Sequence, residues 1–174
     1  MRFIPTCLSG GTLIELEPRR DERGMFARAF CAKEFAANEL ETNFVQANIS
    51  TNTHAFTVRG LHFQREPHAE VKLVRCTKGA VFDVMVDMRK ESGTYLRWYG
   101  IELSEDNGRA LYVPKGFAHG YQSLTDGATL FYMVSAFYAP DAEGGLRFND
   151  PAIGISWPHA PSEMSPKDAA WPLL

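Results

Sequence analysis

A chain of 174 residues, 45% hydrophobic and 22% charged, has the composition of an ordinary globular protein and the length of one domain with a sizeable core. Its formal net charge of −3 argues against a general nucleic-acid binder, while leaving room for a local basic site that holds one or two phosphates. The N-terminus MRFIPTCLSGG lacks the apolar core of a signal peptide and no run approaches a membrane span, so a cytoplasmic location and no membrane partner are expected.

Taken in chain order, the elements are mostly short strands. Gly11–Glu17 is the first, followed by the one good helical segment, Ala32–Leu40, where Phe35, Leu40 and several alanines recur at helical spacing. Strand-like runs then cover Phe44–Ser50, Thr57–Phe63, Val71–Lys78, Ala80–Met88, Arg97–Leu103, Arg109–Val113, Ala118–Ser123 and Ala128–Ser135. They are rich in Val, Ile, Phe, Tyr and Thr, and Gly, Asn, Asp or Pro separate them, the pattern of an all-β sandwich or barrel. Ser165-Pro166-Lys167-Asp168 offers an N-cap followed by Pro at the first helical position, which predicts a second short helix. No repeat or composition break divides the chain, so a single domain over 1–174 is expected. Cys7, Cys31 and Cys76 form no C-x-x-C pair; Cys31 and Cys76 lie in apolar runs and read as buried thiols. His54, His68 and His159 lie in turn-like or proline-rich stretches and read as solvated.

Strand alternation places Lys72 with Val74 and Cys76 on one face, and Asp83 with Val81, Met85 and Asp87 on another. These charges face either solvent or the barrel interior, where an unpaired charge is expensive; periodicity alone leaves both open. The chemistry-bearing residues cluster in Arg59-Gly60-Leu61-His62-Phe63-Gln64, at Lys72, and in Pro114-Lys115-Gly116-Phe117-Ala118-His119-Gly120. An early and a late histidine in a small barrel suggest a cupin, a jelly roll with a ligand site in its mouth. A metal-binding cupin would offer a second histidine where this chain has Gln64, a poor ligand by comparison, so no metal is expected.

In their order and spacing, these fragments resemble the dTDP-4-dehydrorhamnose 3,5-epimerases, cupin-type nucleotide-sugar epimerases, over nearly the whole chain. The likeness runs through Asp21-Glu22-Arg23-Gly24, Phe44-Val45-Gln46, RGLHFQ at 59–64 and Lys72-Leu73-Val74-Arg75. It continues through Val81-Phe82-Asp83-Val84, Val113 to Gly120, Phe131-Tyr132, Tyr138-Ala139-Pro140, Phe148-Asn149-Asp150-Pro151, Ile153-Gly154-Ile155 and Ser165 to Asp168. The resemblance implies an all-β, cupin-like jelly-roll barrel with one or two short flanking helices. It implies an epimerase that inverts C3 and/or C5 of a nucleotide-linked 4-keto-6-deoxy-sugar through an enolate, with no cofactor, since the ketone already acidifies the neighbouring protons.

In that reading His62 is the base, as imidazole ionises near neutrality. Asp168 holds its tautomer, as the aspartate does in a serine-protease triad. Lys72 stabilises the enolate oxygen, and Tyr132 returns a proton from the opposite face. Asp83 orients Lys72 or closes the polar network, and Tyr138 shapes the sugar pocket with Gln64. The resemblance assigns Arg23, Arg59 and His119 to the diphosphate and nucleotide, with Lys167 a further candidate; forked guanidinium donors suit phosphate. Phe26 and Gln46 would hold the nucleoside end. Arg28 stands where many family members have glutamate, which inverts the hydrogen-bonding character near the nucleoside and puts the thymine base in question. Pro67-His68-Ala69-Glu70-Val71 also departs from the usual lead-in to the lysine. A mono-epimerase acting at C3 or C5 alone, a metal-dependent cupin and a non-catalytic nucleotide-sugar module are the competing readings. A homodimer is implied, pairing through edge strands with Gly11–Glu17 a candidate for exchange.

Overall fold

The structure, a computed structural model, describes residues 1–174. Its strands are β1 (Arg2–Pro5), β2 (Thr12–Glu15), β3 (Arg19–Asp21), β4 (Gly24–Phe26), β5 (Gln46–Thr51), β6 (Thr57–Gln64), β7 (Lys72–Lys78), β8 (Ala80–Asp87), β9 (Trp98–Ser104), β10 (Arg109–Val113), β11 (Phe117–Ser123), β12 (Thr129–Val134), β13 (Glu143–Gly145) and β14 (Glu163–Met164). Two short helices complete it, α1 (Ala32–Ala37) and α2 (Pro166–Ala169). All nine strands expected from patterning are present, with ends displaced by a few residues. The short strands β1, β3, β4, β13 and β14 carry too few alternations to be seen in sequence. Helix α1 stops at Ala37, ahead of the expected Leu40, because Asn38 leaves helical geometry and Glu39 adopts a left-handed backbone.

Two antiparallel sheets face each other, ordered β1-β2-β10-β7-β12-β5 and β13-β6-β11-β8-β9, with β14 lying parallel beside one end of β6. Along the chain β6 to β12 pass repeatedly between the sheets, which makes the cupin-like jelly roll. No helix is long and apolar enough to cross a membrane.

Alternation on the strands builds three apolar layers. Between the sheets, Val74, Cys76, Val81, Met85, Leu111, Phe117 and Leu130 form the central core. The outer face of the first sheet carries Leu73, Ala110 and Ile14, covered by Phe35 of α1. Phe35 is fully buried and meets Phe30 edge-on at 4.8 Å and Phe3 at 5.4 Å, a burial that contributes about 2–3 kcal/mol. On the outer face of the second sheet, Leu61, Val84, Val86 and Ala118 pack under Leu146, Ile153 and Trp157 of the C-terminal segment. Leu73 and Val74 therefore point into different layers, and Lys72, on the same face as Val74, points into the barrel rather than to solvent.

The cysteines are unpaired: Cys76 is buried, Cys31 is only half-buried, and Cys7 is exposed. Cys31 departs from the expectation of burial because it is the residue from which α1 starts, at the rim of the Phe35 layer rather than inside it. His54, His68 and His159 are exposed.

Candidate active site

The core fills one end of the barrel and leaves a polar cavity of about 840 Å³ toward the other, bordered by residues of both sheets. A smaller lobe of about 330 Å³ adjoins it, and His62, Lys72 and Tyr132 border both.

One wall is built on β6 and β11 by a bulge. His119 is opposite His62, but Tyr121 is opposite Arg59, so β6 uses three steps where β11 uses two. In a regular strand residues 59 and 62 would point to opposite faces; the extra residue turns both toward the cavity. Gly60 makes this possible, with φ of +110° and the Cα of Gly120 only 2.7 Å from where a Cβ would stand.

The bulge also receives the helix that follows β14. Ser165 caps α2, its hydroxyl accepting from the Asp168 amide at 3.0 Å. This fixes the Asp168 carboxylate against His62 Nε2 at 2.6 Å, while its other oxygen accepts from the Gly60 amide at 3.2 Å. Burial is the largest single influence on Asp168 and pushes its carboxyl up; the hydrogen bonds from His62, Gly60 and Ser165, with the His62 charge, together hold it below its ordinary range. Trp171 packs edge-on to the His62 ring at 6.4 Å, over Gly145, where any side chain would collide with the indole.

A second histidine–carboxylate pair lies beside the first. His119 Nε2 is 2.9 and 3.0 Å from the two oxygens of the fully buried Asp83. Asp83 therefore serves His119 and does not orient Lys72, which corrects the first of the two roles expected for it and leaves the second, a place in the polar network. The register explains it: Asp83 is opposite Tyr121 on β11, two residues from His119 on the same face, whereas Lys72 belongs to the other sheet. Arg59 also lines the cavity, its Nε donating to Asn52 Oδ1 at 2.8 Å and Nη2 to Thr51 O at 3.2 Å, which leaves the rest of the guanidinium fork available.

The opposing wall belongs to the first sheet. Lys72 is opposite Val134 on β12, so Tyr132 is its diagonal neighbour on the inner face, and Asn48 of β5 lies directly across from Tyr132. Lys72 Nζ pairs with Glu70 Oε1 at 3.2 Å. The Tyr132 phenol is pushed up chiefly by burial and next by the Glu70 charge.

The smaller lobe is lined by Gln46, Asn48, Gln64, Glu70, Tyr138 and Glu143. Gln64 is only 6% exposed, and its amide is taken up by Ala139 N, Phe137 O, His68 O and Glu70. It braces two loops against each other and forms part of the wall. Lys167 Nζ donates to both oxygens of Glu143 at 2.6 Å, and Tyr138 Oη donates to the same carboxylate at 2.9 Å. Burial acts most strongly on Glu143 and raises it, but those two donors outweigh it and the carboxyl is held low. No role at the site follows from the sequence for Glu70, Glu143, Asn48 or Ser165. Glu70 stands out only as part of an unusual lead-in to the lysine and Ser165 only as a cap; Asn48 lies in an expected strand, and Glu143 lies outside the expected elements.

Arg23, Phe26 and Arg28 do not reach this cavity. Arg23 and Phe26 lie on the β3–β4 hairpin, which is exposed along its whole length and pairs with no other strand, Phe26 being 74% exposed. Arg28 follows the hairpin and bonds Glu34 Oε1 at 2.8 Å through Nη1. No three His, Cys, Asp or Glu side chains converge as a metal-ligating group; His62 and His119 each spend a ring nitrogen on a carboxylate.

Comparison with known proteins places this geometry in a family. The family model for dTDP-4-dehydrorhamnose 3,5-epimerase matches residues 5–174. The dTDP-4-dehydrorhamnose 3,5-epimerase of Sinorhizobium fredii is 47% identical, covering 91% of this chain and 83% of its own. That of Salmonella typhimurium is 44% identical, covering 100% and 96%. The crystal structure of the Bacillus anthracis enzyme, with TDP and pyrophosphate bound, superposes with a TM-score of 0.96 at 40% identity, covering 99% of both chains. A barrel whose two sheets bring a histidine–aspartate pair and a lysine–tyrosine pair to one cavity is thus a carbohydrate epimerase, and the chain belongs to the dTDP-4-dehydrorhamnose 3,5-epimerase family.

Proposed function

We propose that the protein inverts C3 and C5 of a dTDP-linked 4-keto-6-deoxy-sugar by proton removal and return through the 4-enolate. The observation that carries this is the division of labour between walls: a base with its carboxylate on one sheet, an ammonium and a phenol on the other, and one cavity between them. With Asp168 ionised, His62 Nε2–H donates to it, so Nδ1 presents the lone pair that removes the proton α to the ketone. Charge then develops on the ketone oxygen, where the Lys72 ammonium stabilises it without reorganisation. The Tyr132 hydroxyl gives its proton to the opposite face of the same carbon, and solvent resets both groups. The sequence of steps at C5 repeats that at C3, because both carbons flank the one ketone. Arg59 is suited to the diphosphate through the guanidinium donors left facing the larger lobe, which His119 also borders, while Gln46 and Tyr138 border the smaller one.

A homodimer completes the ligand set in this reading. Arg23 and Phe26 sit on an exposed hairpin with Arg28 just after it, none of them borders the chain's own cavity, and two-fold pairing would carry each hairpin to the neighbour's pocket. The exchanged segment is then β3–β4 rather than Gly11–Glu17, since β2 is hydrogen-bonded between β1 and β10 within its own sheet.

Incubating the protein with dTDP-4-keto-6-deoxyglucose in D₂O tests the activity. Two deuterons per sugar by mass, with inverted product by NMR, is the expected result; one deuteron reassigns the enzyme to a single centre. His62→Ala is expected to abolish incorporation at both carbons, and a variant that exchanged at the parent rate would remove His62 as the base.

A further inference from the structure

Glu70 lies two residues before Lys72 on the loop that leads into β7, and it is the ammonium's partner. Glu70 Oε1 is 3.2 Å from Lys72 Nζ, and both side chains are only 11% exposed. The other oxygen accepts from Gln64 Nε2 at 3.3 Å, and Gln64 is itself locked to Phe137 and Ala139. The carboxylate is therefore held from two sides in the wall of the smaller lobe, which Tyr132 also borders. The two donors reach different oxygens, so a glutamine of the same shape could accept from only one of them; the carboxylate accepts at both ends and adds negative charge, which is costly to bury. That charge reaches one more group, the Tyr132 phenol. Burial contributes most to raising this phenol and Glu70 next; of the other groups facing it, Tyr121 of β11 also raises it and Arg59 of β6 lowers it. His62 of β6 and Lys72 of β7 border the same cavity.

We propose that Glu70 is a positioning residue for proton return, fixing the Lys72 ammonium between the lobes and facing the Tyr132 hydroxyl in the smaller one. The proposal rests on the epimerase reading, in which Tyr132 is the acid. A phenolate at rest has no proton to return, and an unopposed ammonium diagonal to the phenol favours phenolate. The Glu70 charge balances that ammonium while leaving it available to the enolate oxygen, which carries a full charge only transiently.

Glu70→Gln is expected to leave KM within about two-fold while moving the alkaline limb of the kcat profile down by about half a unit to one unit. Glu70→Asp, which keeps the charge, is expected to recover at least part of the parent limb. A second readout needs no substrate: tyrosines labelled with ¹³C at the ring carbon bearing the hydroxyl are titrated by NMR, with the Tyr132 signal assigned by its loss in Tyr132→Phe. Its midpoint should fall in Glu70→Gln by the same amount as the kinetic limb, and Glu70→Ala serves this comparison if the glutamine variant does not fold. Identical Tyr132 midpoints in parent and charge-free variant would overturn the proposal. A parent that fails to turn over the keto-sugar would instead sink the epimerase reading, and the NMR midpoints would still decide whether Glu70 governs the phenol.

Discussion

His62 and Asp168 are 106 positions apart in the chain, and their 2.6 Å contact holds the site together. Asp168 carries three hydrogen-bonded roles: its carboxylate takes the imidazole and the Gly60 amide, and its own amide closes the cap of α2. Replacing it by asparagine keeps the shape but removes the charge that favours the imidazolium. Asp168→Asn is expected to lower kcat by about 10²- to 10⁴-fold with little change in KM, read as loss of deuterium wash-in. The same residue fixes a pH dependence of stability. Its folded carboxyl is depressed from 3.8, so its stabilisation is fully present above the unfolded value and is lost as pH falls through about 4 and below. Denaturant titrations of parent and Asp168→Asn should therefore converge on acidification and diverge as pH rises toward neutrality.

At the scale of elements, the bulge in β6 is the device on which the first wall depends. One inserted residue puts Arg59 and His62 on one face and offers the Gly60 amide to Asp168. A methyl at position 60 would meet the Gly120 backbone and impose a left-handed φ on a residue with a side chain. Gly60→Ala is expected to cost at least about 2 kcal/mol and about 5 °C in Tm, by calorimetry. Activity should fall further than stability alone explains, because Arg59 and His62 lose their common direction. Here the limit of sequence reading is concrete. The strand Thr57–Phe63 was legible from its composition, but strict alternation sends residues 59 and 62 to opposite faces, and only the pairing with β11 reveals the extra residue. Similarly, alternation grouped Lys72 with Val74 and Cys76 yet could not say whether that face looked inward; Phe35 and α1 decide it by covering the other face.

At the scale of the whole molecule, one chain brings His62, Tyr132 and Lys72 to one cavity but keeps Arg23 and Phe26 away from them. If two copies exchange β3–β4 hairpins, a defect in Arg23 and a defect in His62 belong to different pockets. Mixing Arg23→Ala with His62→Ala chains, unfolded and refolded together, should then recover about a quarter of parent activity, since half of the dimers are mixed and one of their two sites is intact. No recovery over the separate variants would place Arg23 in its own chain's site or outside it. Arg28 needs the same frame: its bond to Glu34 occupies one guanidinium nitrogen, and what remains faces the cavity beneath the hairpin, not the one containing His62.

The sequence by itself determined nine of the fourteen strands, the all-β class, the family and ten of the residues that border the two lobes, because alternation, turn residues and motif order are local and survive without coordinates. It could not determine who partners whom. Asp83 reads as a companion of Lys72 or a member of the wider polar network until the sheets are drawn, and then the register gives it to His119 while Glu70, from the unusual lead-in to β7, takes the lysine. Gln64 reads as a ligand contact, yet its amide is already committed within the chain, while Lys167 borders the larger lobe and spends two of its three donors on Glu143. These assignments depend on which strands are neighbours and on one inserted residue in β6, and both are properties of the closed barrel rather than of any segment of it.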